Sequence, residues 1–330
     1  MTEKDIKAVG IISGGLDSML ACRVLMDQGI DVTAITFVTP FFGSAKGETA
    51  AASLGITHHV VDITGEHLKM VKAPKYGYGR NMNPCIDCHA MMFAKAGEVM
   101  EEISGHFLFS GEVLGQRPMS QNVKALRLVE KESGYDGLIV RPLSAKLLSE
   151  TEAEKAGFVD RERLLDIQGR SRKRQMELAA GYGLNEFPTP GGGCLLTDPG
   201  FSIRLKELFV VSPQADATDV TRLKYGRHFR LPGGSKAIVG RHKDDNDELE
   251  KLFSPDDYSL QVEGITGPLV LLEKGADEGD IKIAAALTLR YSRAAGRTEA
   301  AVIVTGTGET ERKVTVAPAD DEATERYRIA

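Results

Sequence analysis

The sequence predicts an α/β protein with a doubly wound parallel sheet, followed by a smaller α+β domain. Short apolar runs alternate with helical patterns over residues 1–145, and loops rich in glycine and hydroxyl groups follow several of the runs. A segment rich in proline and glycine then breaks the pattern near residue 190. We therefore expect a catalytic domain at 1–185, a loop at 186–200 that carries Cys194, and an α+β domain at 201–330.

The elements of both domains follow from their hydrophobic patterns. In the first domain the sequence predicts strands at 8–12, 32–37, 57–63, 107–110 and 138–140, and helices at 16–28, 43–54, 88–103 and 121–132. The charge-rich residues 149–183 are also predicted to be helical. In the second domain it predicts a helix from residue 201, strands at 228–231, 237–239, 269–272, 302–305 and 314–316, and a hairpin at 306–311.

Composition limits the classes of function. The 330 residues are 42% hydrophobic and 27% charged, and the net charge is −6, so the whole chain is not a polycation. Contact with RNA must therefore come from local basic patches, which the sequence offers within 161–174 and 222–243. With no apolar run of membrane-spanning length and no signal-peptide pattern, we expect a cytoplasmic protein that does not bind a membrane. The oligomeric state stays open, with a homodimer as one candidate.

The stretch Ser13-Gly14-Gly15-Leu16-Asp17-Ser18 is the strongest chemical signal in the chain. It lies between a predicted buried strand and a predicted helix, where glycines and free backbone N–H groups form a cradle for an anion. Ser13 and Ser18 could donate to phosphate oxygens. Asp17 suits such a site only with a divalent cation, Mg²⁺, between its carboxylate and the phosphate. The alternative interpretation is a simple helix cap.

This stretch resembles the SGGxDS loop of the PP-loop ATP pyrophosphatases, and no Gly-Lys-Ser/Thr follows it as in a Walker loop. The resemblance implies ATP as a cofactor, cleavage between its α and β phosphates, and a loop that holds the departing pyrophosphate. We assign Asp17 a catalytic role within this loop. The ATP-binding residues expected on this basis are Ser13, Gly14, Gly15, Leu16, Asp17, Ser18, Phe37, Gly111 and Gln116.

The cysteines are the second signal. Cys85 and Cys88 stand three residues apart at a predicted helix start, where we expect a low thiol pKa, and Cys194 is the expected third thiol. Three interpretations remain open: a [4Fe–4S] cluster with one free iron, persulfide chemistry without a metal, or zinc completed by His89 or Asp87. We expect Cys85 and Cys194 to act in catalysis. The fourth cysteine, Cys22, is expected to be a buried apolar residue.

Further stretches resemble tRNA thiouridine synthetases. Residues 110–121 and the Arg141-Pro142-Leu143 turn resemble the 4-thiouridine enzymes, and residues 83–88 resemble the 2-thiouridylases. In the second domain, residues 226–231 and 267–272 resemble a domain proposed to bind RNA in ribosome-quality-control proteins. We expect neither the amino-terminal RNA-binding extension nor the rhodanese-like domain of the 4-thiouridine enzymes. The sulfur donor therefore stays open between free sulfide and a donor of the cysteine-desulfurase type.

These observations predict an ATP-dependent tRNA sulfurtransferase. It would adenylate a uridine carbonyl oxygen, release pyrophosphate, and replace the oxygen with sulfur at the site of Cys85, Cys88 and Cys194. The alternatives are a PP-loop enzyme acting on a small-molecule acceptor, and a non-catalytic nucleotide-binding, RNA-binding or redox-sensing protein. The reaction requires that the loop at 13–18 and all three thiols share one pocket.

Overall fold

The computed structural model describes residues 6–187, 193–255, 257–306 and 311–330. The chain divides into two compact units, Met1–Asp198 and Pro199–Ala330, and each is described here by itself. Pro188, Pro190 and Gly191–Gly192, which predicted the interdomain break, lie outside the described residues, as does the predicted hairpin turn at 307–310.

The first unit alternates strands and helices, as the apolar runs predict. Its strands are β1 (Lys7–Ile11), β2 (Asp31–Val38), β3 (Thr57–Asp62), β4 (Phe107–Ser110) and β5 (Ile139–Val140). Its helices are α1 (Leu16–Met26), α2 (Ala45–Leu54), α3 (Thr64–Lys72), α4 (Cys85–Glu102), α5 (Val123–Ser133), α6 (Glu152–Lys155) and α7 (Lys173–Gly181).

The described strands of this unit form one parallel sheet in the order β3-β2-β1-β4-β5. The chain moves outward from β1 to β3 and then returns to place β4 on the other side of β1. The carboxyl ends of β1 and β4 therefore flank the point where the winding reverses, which is where ligands bind in open sheets of this type. The loops that follow these two strands are 12–15 and 111–122.

Apolar side chains cover both faces of the sheet. On one face, α1, α2 and the segment 143–187 pack on Ala8, Ala34 and Phe107. On the other face, α4 and α5 pack on Val9, Ile35 and Leu108. This two-sided burial explains why the strands appear in the sequence as continuous apolar runs. The doubly wound sheet predicted from the sequence is confirmed.

The prediction that residues 149–183 are helical is wrong for most of that segment. Only α6 and α7 are α-helical there. Between them the chain forms a short 3-10 helix at Arg161–Arg163 and then a non-helical segment, in which the N–H groups of Leu165, Ile167 and Gly169 donate to the carbonyls of Pro142, Leu143 and Leu114. Burial of Leu164 and Ile167 fixes this course. Tertiary hydrogen bonds and burial therefore decide the conformation in place of local helix propensity.

The second unit is an α+β domain. Its described helices are α8 (Pro199–Val211), α9 (Ala217–Arg222), α10 (Lys243–Lys251), α11 (Glu278–Arg290) and α12 (Asp321–Tyr327). Its described strands are β6 (Arg227–Arg230), β7 (Lys236–Val239), β8 (Asp257–Val262), β9 (Val270–Glu273), β10 (Ala300–Gly306) and β11 (Arg312–Val316). They form an antiparallel sheet in the order β11-β10-β8-β9-β7-β6. The sequence did not indicate β8, in which exposed and buried positions do not alternate regularly.

The basic cluster at 222–243 is not an open cationic face. Arg222 pairs with Asp257, and both Arg230 and Lys236 pair with Glu207. His228 is fully buried. Because so much of this charge is neutralised within the unit, the cluster is in large part structural. No helix among the described parts of the chain has the length and apolar character needed to cross a membrane.

Candidate active site

The loop after β1 has the backbone geometry of an anion cradle. Gly14 has a φ of +75°, and a Cβ atom there would lie 2.2 Å from the carbonyl oxygen of Lys46, so only glycine fits. Gly15 is the N-cap of α1 and provides no side chain to cap the helix. The N–H groups of Leu16 and Asp17 precede the first hydrogen bond of the helix, from Ser18 N–H to the Gly15 carbonyl. They are therefore placed to bind a negatively charged group.

The two serines of this loop differ in their positions. Ser13 is exposed. The buried Ser18 hydroxyl donates to the Gly15 carbonyl at 2.7 Å, so its proton points into the helix rather than toward a phosphate. The expectation that Ser18 donates to phosphate is therefore not met in this structure.

Asp17 has one satisfied and one unsatisfied carboxylate oxygen. Its Oδ2 accepts a hydrogen bond from the Gln116 Nε2 at 3.0 Å. Its Oδ1 is buried and has no hydrogen-bond partner among the described residues. A buried carboxylate oxygen left without a donor is costly unless a cation binds it. The carboxylate thus fits the Mg²⁺ that accompanies ATP.

The loop after β4 packs directly on the start of α1. A Cβ atom on Gly111 would lie 2.5 Å from the Asp17 carbonyl carbon and the Ser18 nitrogen, so a larger residue would push the two segments apart. Five residues later, Gln116 reaches Asp17. The structure therefore places Gly111 and Gln116, both predicted to bind ATP, beside the loop at 13–18. Phe37 instead has its side chain in the core, so only its backbone can contact a ligand.

The structure brings the three thiols together. Cys85 opens α4 and Cys88 lies one turn later. The charged form of Cys88 is disfavoured by both Cys194 and Cys85, and that of Cys194 by Cys85, which requires all three to be within electrostatic reach. The segment that carries Cys194 is fixed by two hydrogen bonds, from Leu195 N–H to the Phe41 carbonyl at 3.1 Å and from the Asn81 Nδ2 to the Thr197 carbonyl at 2.7 Å.

The expected low thiol pKa at the helix start is wrong. Burial raises the pKa of Cys85, raises that of Cys194 to about 11, and raises that of Cys88 well above its usual range. The nearby Arg117 opposes this effect at Cys85 and Cys194. Desolvation therefore outweighs the helix terminus, which favours a thiolate only within its first turn. Cys22 is fully buried, as predicted, and burial raises its pKa to about 12.

A histidine that the sequence did not single out contacts the thiol site. The His67 Nε2 lies 3.3 Å from the Cys88 Sγ, and the ring lies against Phe41 and Phe42 with centroid separations of 5.4 Å. Burial lowers the pKa of His67 to about 4, so the ring is neutral at pH 7. Its Nδ1 is buried with no partner among the described residues, which favours the tautomer that donates from Nε2 to sulfur.

The residues named for the zinc interpretation are occupied elsewhere. Asp87 accepts hydrogen bonds from the Lys75 and Tyr76 N–H groups at 2.8 and 3.1 Å. The His89 Nδ1 lies 2.8 Å from Glu112. Across the described ranges, no group of three His, Cys, Asp or Glu residues has the spacing to hold a metal ion. The three thiols fit an iron–sulfur cluster in the chemistry of their donors, but their atoms are not at ligand spacing.

One loop connects the two halves of the site. Gln116 binds Asp17, and the next residue, Arg117, acts on the charges of Cys85 and Cys194. The loop at 111–122 therefore lies close enough to bind Asp17 and to influence the charge of two of the thiols.

Comparisons with known proteins find similarity to two families over different parts of the chain. Residues 4–149 match the model of a family described as "Thiamine biosynthesis protein (ThiI)". The first unit is therefore similar to the PP-loop domains of thiouridine synthetases. Residues 226–328, within the second unit, match the family described as "NFACT protein RNA binding domain".

Individual relatives match parts of the PP-loop unit. The chain is 33% identical over 106 residues to a tRNA-specific 2-thiouridylase MnmA of Dehalococcoides mccartyi, covering 28% of this chain and 29% of the relative. It is 29% identical over 141 residues to an MnmA of Bradyrhizobium, covering 37% and 36%. The matched region thus spans about a third of the length of these curated relatives. A solved "predicted subunit of tRNA methyltransferase" from Methanocaldococcus jannaschii aligns at 15% identity with a TM-score of 0.35, over 53% of this chain and 76% of that one.

Proposed function

We propose that the chain is an ATP-dependent tRNA thiouridine synthetase, which replaces a uridine carbonyl oxygen with sulfur. The observation that carries this proposal is the position of one loop, in which Gln116 donates to Asp17 and the charge of Arg117 opposes the pKa rise that burial causes at Cys85 and Cys194. ATP cleavage and sulfur chemistry then occur on the two sides of the same segment. The similarity of the PP-loop unit to tRNA thiouridylases supports tRNA as the acceptor.

The first step activates the uridine. The carbonyl oxygen attacks the α phosphorus of ATP, a P–O bond forms to the base, and pyrophosphate leaves. The backbone N–H groups of Leu16 and Asp17 hold the departing phosphates at the helix start. Asp17 would hold Mg²⁺ through its unpaired Oδ1, and this ion neutralises phosphate charge when it is bound. Gln116 fixes the orientation of that carboxylate.

The second step replaces oxygen with sulfur. A sulfur nucleophile held at Cys85, Cys88 and Cys194 attacks the activated ring carbon, and the carbon–oxygen bond breaks with AMP as the leaving group. With hydrosulfide as donor the step is redox neutral. With a persulfide, a second thiol attacks the inner sulfur, thiouridine is released, and the resulting disulfide must be reduced by an external thiol. The attacking sulfur is anionic in both cases, and Arg117 supplies a positive charge beside it.

We propose a [4Fe–4S] cluster on Cys85, Cys88 and Cys194 as the form that delivers sulfide. A cluster held by these three thiolates, with no fourth protein ligand, would leave one iron free, and such an iron would lower the proton affinity of a bound sulfur ligand. His67 donates a hydrogen bond to the Cys88 sulfur and so stabilises its anionic form. Anaerobic purification tests this choice, since a colourless protein without iron that still thiolates tRNA would favour the persulfide route, and one zinc ion per chain would contradict both.

The proposed function is tested with two variants and two products. The full chain is supplied with ATP, Mg²⁺, sulfide and bulk tRNA, and pyrophosphate and thiouridine are both measured, the latter by nucleoside mass spectrometry. Asp17→Asn should abolish both products. Cys194→Ser should abolish thiouridine but retain ATP binding and pyrophosphate release.

Three results would contradict the proposal. A wild-type chain that releases no pyrophosphate under any of these conditions is not an enzyme of this class. Pyrophosphate release that tRNA does not stimulate would favour a small-molecule acceptor. Thiouridine formation by Cys194→Ser would remove Cys194 from the site.

A further inference from the structure

A buried carboxylate joins the nucleotide side of the site to the thiol side. Glu112 lies in the loop after β4, and its side chain is 8% exposed. Its Oε1 binds the His89 Nδ1 at 2.8 Å, and its Oε2 accepts from the Arg141 Nε at 3.0 Å and the Ser110 hydroxyl at 3.1 Å. Both oxygens are thus satisfied by groups from different parts of the chain.

Arg141, which binds the Glu112 carboxylate, is itself held by a second carboxylate. Arg141 follows β5, is almost fully buried, and also pairs with Glu130 of α5. Glu112 therefore connects α4, through His89, to the ends of β4 and β5 and to α5. Burial alone would raise the pKa of Glu112, but the charge of Arg141 and the hydrogen bonds of His89 and Arg141 lower it to about 2. The carboxylate is consequently ionised at neutral pH.

The two ends of this connection lie next to the two halves of the reaction. On one side, Gly111 precedes Glu112 and packs against the Asp17–Ser18 peptide. On the other side, His89 follows Cys88 on α4. His89 is thus next to a thiol residue, and Glu112 is next to a residue that contacts the nucleotide loop. A single hydrogen bond, from His89 to Glu112, links the two sides.

Stability alone gives little reason for such a group. Buried ion pairs are often no more stabilising than apolar residues of the same volume, because both charges must leave water. Their directional bonds do fix the mutual orientation of the segments that carry them. Reactions between two bound groups lose most of their rate when the groups are displaced by about 1 Å.

We propose that Glu112 and His89 are positioning residues that hold the thiol helix α4 in register with the nucleotide loop, so that sulfur attacks the uridine that ATP has activated. This inference rests on the proposed function and adds to it the coupling of its two steps. It predicts that breaking the Glu112–His89 bond separates the steps: pyrophosphate release continues, and thiouridine formation falls.

The experiment compares two substitutions of His89 in the full chain. His89→Phe keeps a ring of similar size and removes the donor. His89→Asn shortens the side chain but keeps an amide N–H where the Nδ1 of histidine stands. The readouts are the yield of thiouridine per pyrophosphate released, the KM for ATP, and the unfolding temperature.

His89→Phe should lower thiouridine per pyrophosphate by roughly 10- to 100-fold, with the KM for ATP unchanged. His89→Asn should restore most of that yield. Glu130→Gln is the matched control, since it changes the same buried network at Arg141 and leaves the Glu112–His89 bond in place, and its yield should stay that of the wild type. If phenylalanine is not accommodated, His89→Ala gives the same comparison.

Two results would overturn the inference. Equal losses of pyrophosphate and thiouridine in His89→Phe would mean that the residue only supports the fold. A loss in His89→Asn as large as in His89→Phe would mean that the other ring nitrogen is the one that matters. Failure of the proposed function is distinct, because the wild-type chain itself would then make no thiouridine.

Discussion

His67 shows how one residue couples the thiol site to stability. It is fully buried between aromatic rings, and its ring contacts Cys88. Burial lowers its pKa from 6.5 to about 4. Because the unfolded chain binds the proton more tightly, His67 stabilises the fold above pH 6.5, and this contribution is lost as the pH falls toward 4.

We predict that the free energy of unfolding declines by up to roughly 3 kcal/mol from this residue alone between pH 6.5 and 4. His67→Phe removes the titrating group and should flatten the decline by that amount. Urea denaturation of the full chain at pH 7, 6, 5 and 4 measures it, with His59→Phe on the exposed side of β3 as the control. If the free energy of unfolding has the same pH dependence in the wild type and in His67→Phe, the fold does not hold the His67 ring neutral.

At the scale of elements, the approach of the β4 loop to α1 determines the nucleotide site. Gly111 allows this approach because its missing side chain leaves room for the Asp17–Ser18 peptide. A larger residue at position 111 would clash with backbone atoms, which cannot move aside as a flexible side chain can. Gln116 then reaches Asp17 from the same loop.

Gly111→Ala should therefore weaken ATP binding and pyrophosphate release together, by about tenfold or more, because it displaces the loop that orients Asp17. Isothermal titration with ATP and Mg²⁺ measures the first effect. Gly65→Ala, an exposed helical glycine with open space around its Cα, is the control and should stabilise the chain by roughly 0.5–1 kcal/mol. Normal ATP affinity in Gly111→Ala would contradict the close packing of the two loops.

In the second unit, cationic side chains near β6–β9 form ion pairs with acidic groups of the same unit. Arg222 of α9 binds Asp257 of β8 and the carbonyl of Leu252, and both acidic and basic groups are largely buried. A buried pair is expensive to break because the remaining charge loses its partner.

We predict that Arg222→Met lowers the free energy of unfolding by roughly 3–5 kcal/mol. The fraction of the Arg222→Met chain that stays folded should bind tRNA with the affinity of the wild type, since Arg222 is not an exposed cation. Lys243→Met, at an exposed position within the same basic cluster, should change stability by no more than about 0.5 kcal/mol. A specific loss of tRNA binding in Arg222→Met, with stability unchanged, would instead show that Arg222 belongs to an RNA-binding surface.

For the whole molecule, the sequence predicts those features that depend on local pattern. Apolar runs located β1, β2, β4 and β5, because strands buried on both faces need apolar residues throughout. The edge strand β3 was also located, although it is largely exposed. Glycines that bring backbone close to a ligand or to another loop, such as Gly14 and Gly111, were visible as a motif. Cys85, Cys88 and Cys194 were singled out because a CxxC pair needs a further thiol to complete a site.

What the sequence did not predict depends on contacts between distant residues. His67 lies in no motif, and Glu112 and Arg117 occupy variable positions of the 110–121 stretch, so none of the three was singled out. Their roles depend on the residues that the fold brings beside them. The thiol pKa values were mispredicted because the sequence reveals the helix start but not the burial that outweighs it. The basic cluster of the second unit was overestimated because its acidic partners, such as Glu207, lie outside the cluster in sequence.

The central claim is that the nucleotide loop and the three thiols share one site, and thiol labelling in the presence of ATP tests it most directly. The reduced full chain is treated with iodoacetamide with and without ATP and Mg²⁺, and each cysteine is followed by peptide mass spectrometry, with the buried Cys22 as an internal control. We predict that ATP with Mg²⁺ slows labelling of Cys85 and Cys194 several-fold and leaves Cys22 unreactive throughout. Labelling rates that ATP does not change, in a chain shown to bind ATP, would contradict the shared site.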